Sequence, residues 1–280
     1  MLHEKITLPR TGVILETYLA DEKSLKQSIK RPFPHRPLVL VFPGGGYHFL
    51  SDREAEPVAL RLLSLGIQAV VVRYSVAPAR YPVALEQAAE AMQYAREHAE
   101  QWLCDSRKIA VMGFSAGGHL VCGFGTENRG YGPAGVPKPH LGTRWHEMGF
   151  DPVCRPDAMI LSYPVITSGE FAHRNSFKCL LAEREEELKD VVSLEKHVTP
   201  DTPPTFLWHT WTDELVPVEN SLMFAAALRR AGVPCEMHIF GAGQHGLSLC
   251  NDQVYDAEQP NMHAECACWI DMAARWLKGL

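Results

Sequence analysis

The sequence predicts an α/β fold in which a mostly parallel central sheet carries helices on both faces. Short continuous apolar runs such as Leu38-Val39-Leu40-Val41-Phe42 recur along the chain. Such runs suit strands buried on both faces, as in parallel sheets. Segments of helical spacing separate the runs, and this alternation implies parallel pairing through crossover helices. The chain has 280 residues, 46% of them hydrophobic and 21% charged. That length and composition can build a substantial core without disulfide staples.

Each element follows in order. Residues 6–8 and 13–19 read as an opening antiparallel pair, with Leu15, Thr17 and Leu19 alternating against Ile14, Glu16 and Tyr18. Residues 38–42 form the first buried strand, which ends at a glycine cluster. Residues 56–65 follow as a helix, with Pro57 suited to its first turn and Gly66 to its close. Residues 67–74 are a second buried strand and 82–101 a long amphipathic helix. Residues 108–114 are a strand and 115–124 a helix. The period then breaks over residues 127–156, which are rich in Gly, Pro and aromatics. A loop of this length inside a compact domain is usually functional or disordered, and here it is a candidate lid or insertion. The rhythm resumes with a strand at 157–163, a charged helical patch at 183–194 that reads as a solvated face, and a strand at 205–209. A helix at 218–231, a last strand at 236–240 and a closing helix at 264–277 complete the chain. No repeat or linker interrupts it, and residues 1–280 read as a single domain.

Composition excludes several classes. The formal charge is −6, against the basic stripe of a nucleic-acid binder. No apolar run approaches the roughly 20 residues of a membrane span. The start Met1-Leu2-His3-Glu4-Lys5 lacks the apolar core of a secretory signal. Eight cysteines include no Cys-x-x-Cys pair, so reduced thiols and a cytoplasmic location are expected. The cysteines and 13 histidines show no zinc-ligand spacing, so no metal or organic cofactor is expected.

Gly113-Phe114-Ser115-Ala116-Gly117 matches Gly-x-Ser-x-Gly, and a short motif needs its context. Here an apolar strand precedes it and a helical segment follows. That is the arrangement of a nucleophile elbow, where a strained strand-to-helix turn exposes the serine. A serine is a poor nucleophile near neutral pH and needs a base. In such folds the acid and the histidine follow in that order, each on a loop after a late strand. Asp213 lies on the loop after the 205–209 strand, with Glu214 beside it as the alternative. His245 lies in the glycine-rich loop after the last strand. Asp201 precedes its strand, at the wrong end of the sheet. His209, inside an apolar run, reads as a packed core histidine, and His119, behind Ser115, as a structural one.

The reaction also needs donors for a tetrahedral oxyanion. The N–H after the nucleophile, of Ala116, is one, and Gly44-Gly45-Gly46 after the first buried strand offers others. No Gly-Lys-Ser/Thr follows these glycines, and Gly-x-Gly-x-x-Gly fails at Phe49, which argues against nucleotide binding.

Together, Pro43-Gly44-Gly45-Gly46-Tyr47, Gly113-Phe114-Ser115-Ala116-Gly117-Gly118-His119-Leu120, Ser162-Tyr163-Pro164-Val165, His209-Thr210, Asp213, Val216-Pro217-Val218-Glu219-Asn220-Ser221 and Gly243-Gln244-His245-Gly246 carry a resemblance. The set resembles the α/β-hydrolase esterases of the acetyl-xylan-esterase type, near the hormone-sensitive-lipase-like carboxylesterases. It spans about residues 38–249. One departure is Pro43, where many lipase-like relatives carry His before the glycines.

The resemblance implies Ser115 as nucleophile, Asp213 as orienting acid and His245 as base. Ala116, Gly45 and Gly46 would be the oxyanion donors. It implies a serine carboxylesterase that removes short acyl groups, acetyl above all, from small esters such as acetylated sugars or xylo-oligosaccharides. Tyr131, His140, Trp145, His146 and Phe150 are candidate sugar-stacking residues in the 127–156 segment. The rival functions are a kynurenine-formamidase-like amidase and a non-catalytic binding protein on the same fold. No nucleic-acid or membrane partner is expected. A homodimer is compatible with the sequence, which identifies no interface.

Overall fold

A computed structural model describes residues 1–21, 35–126, 155–257 and 262–280. The five candidate stacking residues and nearly all of the candidate lid lie outside the described residues. Within them the chain runs β1 (Lys5–Thr7), β2 (Ile14–Tyr18), β3 (Arg36–Phe42), α1 (Glu56–Ser64), β4 (Gln68–Arg73), α2 (Val83–His98), β5 (Cys104–Phe114) and α3 (Ala116–Thr126). It continues with β6 (Ala158–Ser162), α4 (Arg174–Leu181), α5 (Glu185–Leu188), β7 (Thr205–Thr210), α6 (Glu219–Ala231), β8 (Cys235–Phe240) and α7 (Trp269–Gly279).

The eight strands form one sheet in the order β1-β2-β4-β3-β5-β6-β7-β8. Pairing is antiparallel from β1 to β2 and from β2 to β4, and parallel from β4 through β8. Phe42 pairs with Gly113, Phe114 with Ser162, and Thr210 with Phe240. The C-terminal ends of β3, β5, β6, β7 and β8 therefore lie side by side along one edge.

Strand alternation builds two cores. Leu38, Leu40 and Phe42 join Val70, Val72, Ile109 and Val111 against α2 and α3, where Ala88, Met92 and Val121 meet them. Val39 and Val41 face the other way, with Ala110, Met112 and Phe114, onto Val58 and Leu62 of α1 and Trp269 and Ala273 of α7. These side chains are fully or nearly fully buried, and removing one to Ala typically costs about 2–5 kcal/mol.

The charged patch at 183–194 is not one helix. α5 is a single turn between 3-10 turns at Ala182–Arg184 and Leu194–Lys196. Ser193 ends the run because its buried hydroxyl donates to Glu195 and accepts from the Ser168 N–H. The patch keeps its solvated face, with Arg184–Glu187 and Lys189–Glu186 ion pairs. The expected closing helix starts as a 3-10 turn and becomes α only at Trp269. α4 has no counterpart in the sequence reading.

Candidate active site

Strand β5 runs straight into α3, and Ser115 occupies the turn between them at φ +51. A left-handed backbone at a non-glycine residue costs roughly 1–2 kcal/mol and persists only where its surroundings enforce it. Flanking glycines make the turn feasible. A Cβ at Gly113 would run into the carbonyl of Gly117, and one at Gly117 into the carbonyl of Phe42.

Ser115 Oγ lies 2.7 Å from His245 Nε2, and His245 Nδ1 lies 2.7 Å from Asp213 Oδ2. A carboxylate can only accept, so Nδ1 carries the imidazole proton and Nε2 accepts from the serine hydroxyl. The three residues come from the ends of β5, β7 and β8. The β8 loop is tied to the β7 end where Thr210 and Thr212 hydroxyls bond the Gly243 backbone.

Asp213 is buried, and its Oδ1 accepts the Leu215 and Val216 N–H groups at 3.0 and 2.9 Å. Burial alone would raise its pKa. Hydrogen bonds from His209, His245 and Val216, together with the charge of His245, outweigh it and hold the carboxyl well below the usual carboxylate range. Glu214, the alternative acid, is exposed.

The glycine loop after β3 lies against the serine: a Cβ on Gly44 would be 3.0 Å from Ser115 Cβ. Gly44 donates its N–H to Glu54 Oε2 at 2.7 Å and is thereby committed. Gly45 and Gly46 take φ +123 and +64, and their N–H groups meet no acceptor among the described residues. With the Ala116 N–H at the start of α3, they are the groups the sequence reading expects as oxyanion donors. His119 holds this loop from behind: Tyr47 Oη donates to His119 Nδ1 at 2.8 Å, and His119 Nε2 donates to the Val192 carbonyl at 2.9 Å. Burial pushes the His119 imidazole down to about 4.

Three features escaped the sequence reading. Glu54 is a buried carboxylate beneath the site. His209, although packed as expected, also reaches Asp213. The start of α4 faces Gly46, where a Cβ would meet Ser176, His173 and Asn175 at 3.7–4.0 Å. His173 Nδ1 pairs with Ser176 Oγ at 2.7 Å.

A family profile described as the alpha/beta hydrolase fold matches residues 39–249. The chain belongs to the α/β-hydrolase family. It is 38% identical over 227 residues to endo-1,4-beta-xylanase B of Butyrivibrio fibrisolvens, covering 79% of this chain and 34% of that protein. It is 28% identical over 220 residues to the acetylxylan esterase of Xylanibacter ruminicola, covering 75% and 41%. The chain thus spans only about a third to two fifths of these curated relatives. Among solved structures, this α/β-hydrolase resembles an acetyl ester-xyloside bifunctional hydrolase from Caldicellulosiruptor lactoaceticus, with TM-score 0.77, 38% identity, and coverage of 96% and 88%. A carboxylesterase from Lactobacillus plantarum superposes with TM-score 0.83 at 29% identity, covering 100% and 98%. No described helix of the α/β-hydrolase is long and apolar enough to cross a membrane.

Proposed function

We propose that this α/β-hydrolase is a serine esterase that removes short acyl groups, acetyl above all, from esters of sugars or xylo-oligosaccharides. The observation that carries the reading is the unbroken chain Asp213–His245–Ser115, with both hydrogen bonds at 2.7 Å, beside N–H groups that meet no acceptor among the described residues.

In this mechanism Ser115 Oγ attacks the ester carbonyl while His245 Nε2 takes its proton. The oxyanion is held by the N–H groups of Ala116, Gly45 and Gly46. Losing one such donor typically costs about 10²–10³ in rate. The alcohol leaves with the proton from His245, and acyl-Ser115 remains. Water, deprotonated by the same imidazole, then releases the acid. Asp213 holds the tautomer and stabilises the imidazolium.

The acetyl and sugar preference is supported by relatives named for acetylxylan and for acetyl ester-xyloside hydrolysis. The polar rim of His173 and Asn175 beside Gly46 suits a hydroxylated alcohol. A cytoplasmic setting would favour imported oligosaccharides over polymer.

The test compares wild type with Ser115→Ala on p-nitrophenyl esters from acetate to octanoate and on acetylated xylo-oligosaccharide, with released acid as readout. Best turnover of acetate, acetate release from the sugar, and loss of roughly 10⁴-fold or more in Ser115→Ala are expected. An active Ser115→Ala overturns the nucleophile. Cleavage of N-formylkynurenine in preference to every ester overturns the esterase reading in favour of an amidase.

A further inference from the structure

Glu54 is a carboxylate that the proposed reaction does not use, yet it bonds both the glycine loop and Tyr163 beside His245. It closes a 3-10 turn at Asp52–Glu54 and is buried. Its Oε2 accepts the Gly44 N–H at 2.7 Å, at the root of the oxyanion loop. Its Oε1 accepts the Tyr163 hydroxyl at 2.7 Å. The Tyr163 oxygen in turn accepts the Ser248 N–H at 2.9 Å, three residues past His245. The Tyr163 ring meets the His245 ring edge-on, with centroids 5.0 Å apart. One carboxyl group thus links the glycine loop, the segment after β6 and the histidine loop.

Both Glu54 oxygens are placed to accept, Oε2 from the Gly44 N–H and Oε1 from the Tyr163 hydroxyl, an arrangement that suits the ionised carboxylate. A buried negative charge close to His245 favours the imidazolium that forms as the serine proton is taken. The other ionisable groups around Glu54 are few. Tyr74 hydrogen-bonds the Pro43 carbonyl at 2.7 Å and feels the Glu54 charge. Arg53, whose guanidinium turns away to the Val254 carbonyl and Asp256, acts on it through space. Asp213 lies beyond His245. Burial raises the Glu54 pKa above the ordinary carboxylate value, and the hydrogen bonds of Tyr163 and Gly44 with the charge of His245 offset that rise only in part.

We propose that Glu54 is a positioning residue of the esterase: its carboxylate sets the oxyanion loop and Tyr163, and its negative charge supports protonated His245 in the transition state. The proposal rests on the reading of Ser115 and His245 given above.

The test measures kcat, KM and their pH dependence on p-nitrophenyl acetate for Glu54→Gln, Glu54→Asp and Tyr163→Phe, beside Ser115→Ala. Glu54→Gln is expected to lose tenfold or more in kcat with KM within about threefold. Its acid limb moves to lower pH, because a neutral side chain no longer favours the imidazolium. Glu54→Asp and Tyr163→Phe keep the charge, so they lose kcat with the limb in place. Should Glu54→Gln not fold, unchanged kcat in both remaining variants overturns the proposal. An acid limb that stays put in folded Glu54→Gln also overturns it, leaving only a structural contact. An inactive Ser115→Ala with unaffected Glu54 variants sinks this proposal alone, whereas an active Ser115→Ala removes the site reading and this proposal with it.

Discussion

His209 Nε2 lies 3.2 Å from Asp213 Oδ2, the oxygen that also receives the 2.7 Å hydrogen bond of His245. The same nitrogen is 2.9 Å from the Val216 carbonyl, and His209 Nδ1 is 2.7 Å from Ser221 Oγ. With two acceptors before it, Nε2 carries the proton, and Nδ1 accepts from the Ser221 hydroxyl. A core histidine thereby turns the loop after β7 into a rigid holder for the acid.

Replacing His209 by Phe keeps the apolar bulk and removes both hydrogen-bonding nitrogens. Each buried group left unpaired costs about 1–3 kcal/mol. The expected outcome is a clear fall in Tm by thermal unfolding and roughly tenfold lower kcat on p-nitrophenyl acetate, as Asp213 loses one of its anchors. An unchanged Tm and kcat would show that Val216 and Leu215 hold Asp213 alone.

Asp213→Asn removes the charge that orients His245. In serine hydrolases such a change costs about 10⁴-fold in kcat. Stability carries a second sign. The Asp213 carboxyl is more acidic folded than unfolded, so its contribution is fully present above the unfolded carboxylate range and is lost progressively as pH falls from that range toward the lower folded value. The stability gap between wild type and Asp213→Asn should therefore be wide at pH 7 and narrow on acidification toward pH 3. A gap independent of pH would contradict this.

His119 titrates in the opposite chemical sense with the same outcome in acid. Its folded pKa is lowered from 6.5 to about 4. Between those values the unfolded chain binds the extra proton, so stability falls as pH drops from 6.5 toward 4. The loss can reach about 3 kcal/mol for a fully buried imidazole. Denaturant unfolding at pH 7 and pH 4.5 should show this loss in wild type and a smaller one in His119→Gln.

Two neighbouring glycines should respond differently to alanine. At Gly45 the new Cβ would overlap the Phe49 carbonyl, with Phe49 C at 2.7 Å. Gly45→Ala is expected to be poorly folded or inactive. At Gly46 the contacts are 3.7–4.0 Å and only the left-handed backbone is strained, by roughly 1–2 kcal/mol. Gly46→Ala should fold, with a lower kcat from a displaced N–H. Equal expression and activity of both variants would count against the geometry assigned to this loop.

Much of this was legible because it is local. The run Leu38-Val39-Leu40-Val41-Phe42 reads as a doubly buried strand, and β3 is one, its side chains divided between the two cores. The Gly-x-Ser-x-Gly spacing reads as a strained turn, and Ser115 sits at positive φ. Glu54 was not legible. In Ser51-Asp52-Arg53-Glu54-Ala55-Glu56 it looks like one more solvated charge. It is buried only because the turn folds under Gly44 and meets Tyr163, 109 residues further along the chain. The 183–194 patch failed for a related reason. Its charges predict a helix face, but Ser193 bonds Ser168 and Glu195 instead.

The sequence alone determined the sheet strands and most of the helices, where the strained turn falls, and which residue types could do acyl chemistry. Those are properties of dihedral preference and apolar period, written over a few consecutive residues. Tertiary structure alone decided that Ser115 meets a histidine 130 residues away, and which carboxylates serve it. Strand order has no local signature. Only when β5, β6, β7 and β8 pair in parallel do their C-terminal ends align along one edge, bringing Ser115, Asp213 and His245 within hydrogen-bond reach.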